Sequence, residues 1–282
     1  MPRWLAKTGR QAGSLAATAL IGGLLTATLV RNSPGFDADE RELDSRLDES
    51  SRAMIQAEHG ENHNVLRFYV RHMRAMLHGE LGVSSSLQAP IGDLIRSRFA
   101  VTAEIMAFGL AGGWSAAFAL ALAAVGNPAW SRFIGVVSVG ALSLPSAALA
   151  VLVFVVNGPM YTVIALVLFP RLFDYFRNLL EDAYAQPHIV TARAKGLRRS
   201  RILFLHVLPG CGPQLLALAG VSASMAFGAA IPVETLGDLP GLGQLAWKAA
   251  VARDLPLLVT LTMLITLLTQ ICNAAADWWG RE

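Results

Sequence analysis

Two histidines, His59 and His63 in "HGENH", stand four residues apart, and on a helix that spacing puts both imidazoles on one face, where they could hold a metal. Gly60 and Asn62 disfavour a helix there, so a solvated loop is the expectation and metal binding the alternative. Cys211 and Cys272 have neither CxxC nor metal-ligand spacing and read as small apolar packing residues. No GxxxxGK[ST] pattern occurs, so the chain itself has no P-loop for ATP. No His/Asp/Glu or Ser/His constellation falls within the long apolar runs, so no enzyme chemistry is expected. Glu104 is the only acid well inside such a run. An acid there is a substrate-contact candidate, although its place near the end of the run also allows simple hydration.

The elements that carry these residues are mostly apolar. Hydrophobic residues make up 54% of the 282 and charged residues only 15%, which lies outside the soluble balance and points to an all-α membrane protein. A bilayer core takes roughly 20 apolar residues of helix. Six runs qualify as transmembrane helices: 12–30, 100–125, 132–156, 160–178, 213–232 and 255–277. The fourth is the weakest, with Arg171, Asp174 and Arg177 near its end.

Charge sets the orientation. Arg3, Lys7 and Arg10 precede the first run and hold the N-terminus in the cytoplasm by the positive-inside rule. With six crossings the C-terminus and the basic stretch after the fourth run are cytoplasmic, and the acidic segment 233–254 is outside; without the fourth crossing those basic residues would lie on the wrong face. The net charge of +3 is therefore charge sorted across a bilayer, and no nucleic-acid partner is expected. A cleaved signal peptide at the first run is the alternative, opposed by the run's length and by the lack of a small-x-small site before "RNSPGF".

The chain thus divides into an N-terminal transmembrane helix (1–31), an extracytoplasmic segment (32–98) and a five-helix core (99–282) with a cytoplasmic loop at about 179–210. The first half of 32–98 is acidic. Its second half, "VLRFYVRHMRAMLHGELG", repeats an apolar face through Leu66, Tyr69, Val70, Met73 and Leu77, which suits a helix lying on the membrane or on the spans.

The basic stretch "TARAKGLRRSRILFLHVLP" (191–209) carries a further spacing. Ala192, Gly196, Leu208 and Pro209 fall in register with EAA, three residues, Gly, nine residues, Ile-x-Leu-Pro; Val190 and Thr191 replace the Glu and first Ala, and His206 the Ile. The stretch resembles the cytoplasmic loop of ABC import permeases, in the form seen in the dipeptide, oligopeptide and nickel branch. "HGELGVSSSLQAPIGDLIRSRFAVTAEI", "LSLPSAALAVLVF" and "ETLGDLPGLGQLAWKAAVARDLPLLV" resemble that branch in the same order, so the likeness runs from about 66 to 277. The short "NGP" connection and Gly210 after the Leu-Pro depart from it.

The resemblance implies a type I importer permease in a bacterial inner membrane, crossing it several times. It forms half of a pathway for peptides, nickel or a related small solute. The implied partners are a second permease, two cytoplasmic ATPase subunits or domains that hold the ATP and Mg, an extracytoplasmic substrate-binding protein and the bilayer. No cofactor is expected on this chain. The implied docking residues are Thr191, Ala192, Arg193, Ala194, Lys195, Gly196, Leu208 and Pro209 within loop 181–209. A short helix from about 182 to 195, stopped by a left-handed Gly196, would seat in the ATPase. At the outer mouth, Glu234, Pro240, Gly241 and Gly243 read as a turn, with Pro240 setting φ and the glycines allowing positive φ; with Glu104 they are the gate or substrate-path candidates. A self-sufficient secondary transporter or channel is the rival class; it would show a midplane ionisable relay or broken helices in repeated halves, and only Glu104 hints at either.

Overall fold

A computed structural model describes residues 3–33 and 65–279. His59, His63 and the acidic part of the extracytoplasmic segment lie outside the described residues, as do the last three. The chain folds as two compact units, one drawn from Met1–Phe99 with Leu245–Leu268, the other from Ala100–Gln244 with Thr269–Glu282. Among the described residues the structure is helical, apart from one isolated bridge between Val83 and Pro90.

The first unit holds α1 (Arg3–Arg31) and α2 (Val65–Leu77). Phe68 and Tyr69 of α2 pack with Ala27, Leu255, Val259 and Met263. The Tyr69 hydroxyl donates to the Leu20 carbonyl at 2.6 Å. Gly23 makes that approach possible, since a Cβ there would stand 2.9 Å from Met263 Cγ and 3.0 Å from the Tyr69 oxygen. Beyond α2 the loop 78–90 is pinned by Asp254, whose Oδ2 accepts from the hydroxyls of Ser84 at 2.5 Å and Ser86 at 2.7 Å and from Ser86 N–H at 2.9 Å. Its Oδ1 accepts from Leu257 N–H at 3.1 Å, so the same buried carboxylate caps α12 (Leu255–Trp279).

α3 (Ile91–Ala124) starts just after Pro90, with Asp93 in its first turn, both favourable at a helix N-terminus. In the second unit it approaches α6 (Tyr161–Tyr184) through Gly109 and Gly113, four apart on one face. A Cβ at Gly109 would lie 2.6 Å from Ile164 Cβ, and one at Gly113 would lie 3.3 Å from the Ala165 Cα. Lipid is as apolar as these side chains, so close van der Waals packing of this kind, rather than the hydrophobic effect, holds membrane helices together.

The segment 132–156, expected as one span, is two helices. α4 (Pro128–Leu142) and α5 (Ser146–Val155) meet at a 98° bend. Pro145 removes a helical N–H, and its ring biases Leu144 toward an extended backbone. α4 itself starts firmly, with Asn127 accepting from Trp130 N–H at 3.2 Å and Pro128 in the first turn.

α6 is the centre of this unit. α4, α5 and α10 (Gly212–Leu236) all pack against it or each other, and Ile164, Leu168, Leu172, Phe173, Phe176 and Leu180 are fully buried. Trp114 and Phe118 of α3 meet the Phe176 ring edge-on at 5.3 and 5.4 Å. The Ser138 hydroxyl donates to the Pro170 carbonyl at 3.1 Å, and Trp114 Nε1 donates to Ser222 of α10 at 3.0 Å. The run with the weakest hydropathy thus supplies much of the buried core of this unit.

Three described helices are long and apolar enough to cross a bilayer, within Ile91–Ala124, Gly212–Leu236 and Leu255–Ala274, or four if the bent pair counts as one span. The apolar part of α1, Leu15–Arg31, falls short of that length, and α6 carries too many charges.

Candidate functional site

The basic loop begins where α6 ends at Tyr184. The helix expected over 182–195 is shorter: α7 runs Pro187–Ala194. Pro187 suits the first helical position and forces Gln186 to an extended backbone, φ −64° and ψ 139°, which separates α7 from α6. Ile189 and Ala192 are buried and fix one face of α7, while Val190, Thr191, Arg193, Ala194 and Lys195 are exposed. The Thr191 hydroxyl only turns back to the Pro187 carbonyl at 3.0 Å. The Arg193 guanidinium lies over the Tyr184 ring, 5.6 Å from its centroid. Partial burial raises the Tyr184 hydroxyl above its usual pKa, against the opposing charges of Arg193 and Arg199.

Gly196 has the left-handed backbone expected of it, φ +72°. Its N–H donates to the Arg193 carbonyl at 3.0 Å, and Leu197 N–H reaches back to the Ala192 carbonyl at 3.4 Å. These two bonds form the Schellman stop, closed by Leu197 packing against the core. A Cβ on Gly196 would meet nothing within 4 Å, so glycine is needed here for φ and not for space within this chain.

A helical run then carries the chain to α10. α8 (Arg199–Ile202) widens into a π-helical turn (Leu203–Val207) and closes through α9 (Leu208–Gly210). Pro209 cannot donate to the Leu205 carbonyl, and the ladder shifts to wider bonds before it, with Leu208 N–H on the Leu203 carbonyl. Leu208 is half-buried, Pro209 exposed. No spacing in the chain points to the cavity of about 560 Å³ beside this run, lined by Tyr175, Asp182, His188, His206, Cys211 and Gln214 among others. It arises from the π turn and the α6–α7 break together, which no local spacing reveals.

The turn after α10 has a different basis from the one its composition suggested. Neither Gly241 nor Gly243 has positive φ; the left-handed residue is Asp238, at φ 47°. Glu234, fully buried near the end of α10, accepts from the N–H groups of Gly243 at 2.6 Å and Gln244 at 3.1 Å through Oε2. It thereby caps α11 (Leu242–Val251), a carboxylate at a helix N-terminus. A Cβ at Gly241 would overlap that carboxylate, and one at Gly243 would lie 2.8 Å from the Ile231 Cα. Both glycines permit close approach. Gln244 Nε2 donates to Asp238 at 2.9 Å, Leu242 N–H donates to the Thr102 hydroxyl at 2.7 Å, and Pro240 is exposed. Glu104 does not join this group: two residues beyond Thr102 on α3, it points elsewhere and is exposed. Among the described residues no group of three or more His, Cys, Asp or Glu side chains is placed to hold a metal.

Residues 109–281 match the model of the family described as binding-protein-dependent transport system inner membrane component. The chain belongs to this family. It is therefore an inner-membrane component of a transport system, and the loop at 187–210 and the turn at 234–244 lie within the matched residues. Similar proteins include the oligopeptide transport system permease protein AppB of Bacillus subtilis, 33% identical over 103 residues, 36% of this chain and 33% of the relative. The oligopeptide transport system permease protein OppB of Salmonella typhimurium is 28% identical over 76% of this chain and 77% of its own length. The glutathione transport system permease protein GsiC of Pectobacterium atrosepticum is 26% identical over 88% and 87%. The match thus spans about a third of AppB but most of OppB and GsiC.

Proposed function

We propose that this permease forms half of the translocation pathway of an ABC importer for peptides, crossing the membrane six times with both termini in the cytoplasm. A second permease supplies the other half. Two ATPase subunits or domains bind ATP and Mg on the cytoplasmic side, and an outer binding protein delivers the solute. The peptide reading rests on the names of the relatives AppB, OppB and GsiC. Membership of a binding-protein-dependent family weighs against the self-sufficient secondary transporter or channel.

The observation that carries the coupling is α7, anchored by Ile189 and Ala192 and stopped at Gly196, with Val190, Thr191, Ala194 and Lys195 outward. A partner that grips this face moves a short rigid lever. The helical run 199–210 continues the lever into α10, which packs on α6 and α5. ATPase closure would thus rotate the core helices, which is alternating access by rigid-body motion. Glu104, Glu234, Pro240, Gly241 and Gly243 are proposed for the outer path, with Glu234 shaping it through the cap on α11.

The test is purification of the complex with its ATPase and binding protein, reconstituted in vesicles, with peptide uptake and peptide-stimulated ATP hydrolysis as readouts. Uptake that requires all components is the expected result. Uptake by this chain alone, without ATP, overturns the reading.

A further inference from the structure

One face of α6 is a polar stripe. Arg171, Tyr175, Asn178 and Asp182 are all exposed, and at 100° per residue they fall within about 60° of one another. Leu172, Phe173, Phe176 and Leu180, fully buried, lie on the opposite side. The ion pair of Asp174 and Arg177 stands to one side of the stripe. Among the described residues Arg171 meets no acid; its guanidinium reaches the Met225 sulfur of α10, at 3.8 Å. Tyr175, Asn178 and Asp182 continue into the cavity of about 560 Å³, together with Gln214 of α10. The Tyr175 hydroxyl donates to the Gln214 carbonyl at 3.3 Å, which leaves its oxygen able to accept. The Asn178 carbonyl accepts from Arg177 at 3.3 Å, which leaves its N–H groups to donate.

A helix that crosses the bilayer does not turn such a stripe to the acyl chains; ionisable groups in spans face a water-filled cavity or other protein. The stripe is also bipolar. Its cation, Arg171, and its carboxylate, Asp182, stand about 16 Å apart along a helix that rises 1.5 Å per residue. An extended chain of about five residues has that length, at roughly 3.3–3.6 Å each, and a peptide carries a carboxylate at one end and an ammonium at the other. Between the ends the stripe offers a donor and an acceptor, as the amides of a peptide require, and the cavity is of the size that small ligands occupy. A phospholipid phosphate would satisfy Arg171 alone. We propose that this stripe is a peptide-binding wall of the pathway. Arg171 holds the terminal carboxylate of an extended peptide of about five residues and Asp182 its terminal ammonium, with Tyr175 and Asn178 on the amides between. This rests on the reading of the chain as a peptide permease whose α6 crosses the membrane.

The test is uptake by the complex reconstituted with its ATPase and binding protein, using radiolabelled penta-alanine, its C-terminal amide and its N-acetyl form. Preferences are read as ratios of kcat/KM, and one binding protein serves throughout, so its own preferences cancel between variants. Arg171→Gln should lower the preference for the free acid over the amide about tenfold, the worth of a hydrogen bond to a charge, and leave the preference for the free amine over the N-acetyl form alone. Asp182→Asn should do the reverse, and Arg171→Lys should keep part of the acid preference as a point charge. Unchanged preferences overturn the proposal. So does an equal loss for all three peptides, as when Arg171 pairs with an acid of the second permease. Where a variant does not assemble, wild type decides: a pentapeptide with a diazirine side chain at its third residue should attach at Tyr175, Asn178 or Gln214, and attachment elsewhere overturns the proposal. Wild type without ATP-dependent peptide uptake overturns the permease reading itself, so the two failures are distinct.

Discussion

Gly241 lies against the carboxylate of Glu234, so close that a Cβ at position 241 would occupy the place of the carboxylate oxygens. The glycine and the acid form one device: the acid caps α11, and the glycine leaves room for it.

Gly241→Ala should therefore destabilise the turn by about 1–3 kcal/mol, the usual cost of overpacking, although φ at 241 is not positive. Glu234→Ala makes room but leaves the Gly243 and Gln244 N–H groups without that acceptor. The two changes share one space, so their effects should not add. Thermal unfolding of the purified single and double variants checks this; strict additivity would mean that the contact carries no energy.

Gly196→Val should insert and fold, because a Cβ at 196 meets nothing within 4 Å and the left-handed backbone costs about 1–2 kcal/mol. Coupling should suffer, since the Schellman stop sets the angle of α7. Arg198→Ala and Arg199→Ala leave that stop alone and should be milder. Peptide-stimulated ATP hydrolysis in the reconstituted complex ranks the three; normal activity in the valine variant would reduce the loop to a basic anchor.

Topology is open to direct labelling. On a cysteine-free background, an impermeant maleimide added outside should modify a cysteine at position 48 and miss one at position 199. The opposite pattern would invert the orientation, and labelling at both would remove the fourth crossing.

His72 makes the α2 contact pH-sensitive. Burial lowers its pKa from the usual 6.5, and because the Thr260 hydroxyl, 2.9 Å from His72 Nε2, donates to the Pro256 carbonyl, neutral His72 donates from Nε2. The unfolded chain takes up a proton as pH falls below about 6.5 while the folded chain resists, so stability is lost on acidification and flattens below the folded value. Wild type should melt a few degrees lower at mildly acid than at neutral pH, and His72→Gln should lose most of that difference.

Asp254→Asn replaces an acceptor of four hydrogen bonds with a group that also donates, where Ser84 and Ser86 can only partly adjust. A loss of about 1–3 kcal/mol is expected, with faster proteolysis in the loop 78–90. Ser86→Ala removes one of the bonds and should cost less.

What the sequence could reveal depended on how local the cause was. The stop at Gly196 was legible because one residue's φ decides it, and the spacing to Leu208 and Pro209 framed it. The 98° bend was missed although Pro145 stood in plain view, since the apolar run on both sides masked the break. The cap by Glu234 joins residues nine and ten positions apart across a reversal of the chain, and that reversal is set by Asp238 and by close packing on Ile231. Composition suggested positive φ at the glycines; packing chose otherwise. The doubtful fourth run was weak because hydropathy counts Arg171, Asp174 and Arg177 as if each faced lipid. In the fold Arg177 approaches Asp174 at 3.7 Å and lies over the Phe173 ring.

That last helix has a consequence for how the protein is made. During synthesis α6 emerges before α10, the neighbour whose Met225 sulfur lies 3.8 Å from the Arg171 guanidinium. A lone helix whose apolar run carries Arg171, Asp174 and Arg177 toward its end enters a bilayer reluctantly, since an Arg or Asp costs up to about 2.5–3.5 kcal/mol at the centre of a span. If α6 crosses as proposed, its insertion is expected to wait for later-made helices, and a ribosome stalled before residue 212 would leave the centre of this unit without α10, the neighbour it packs on.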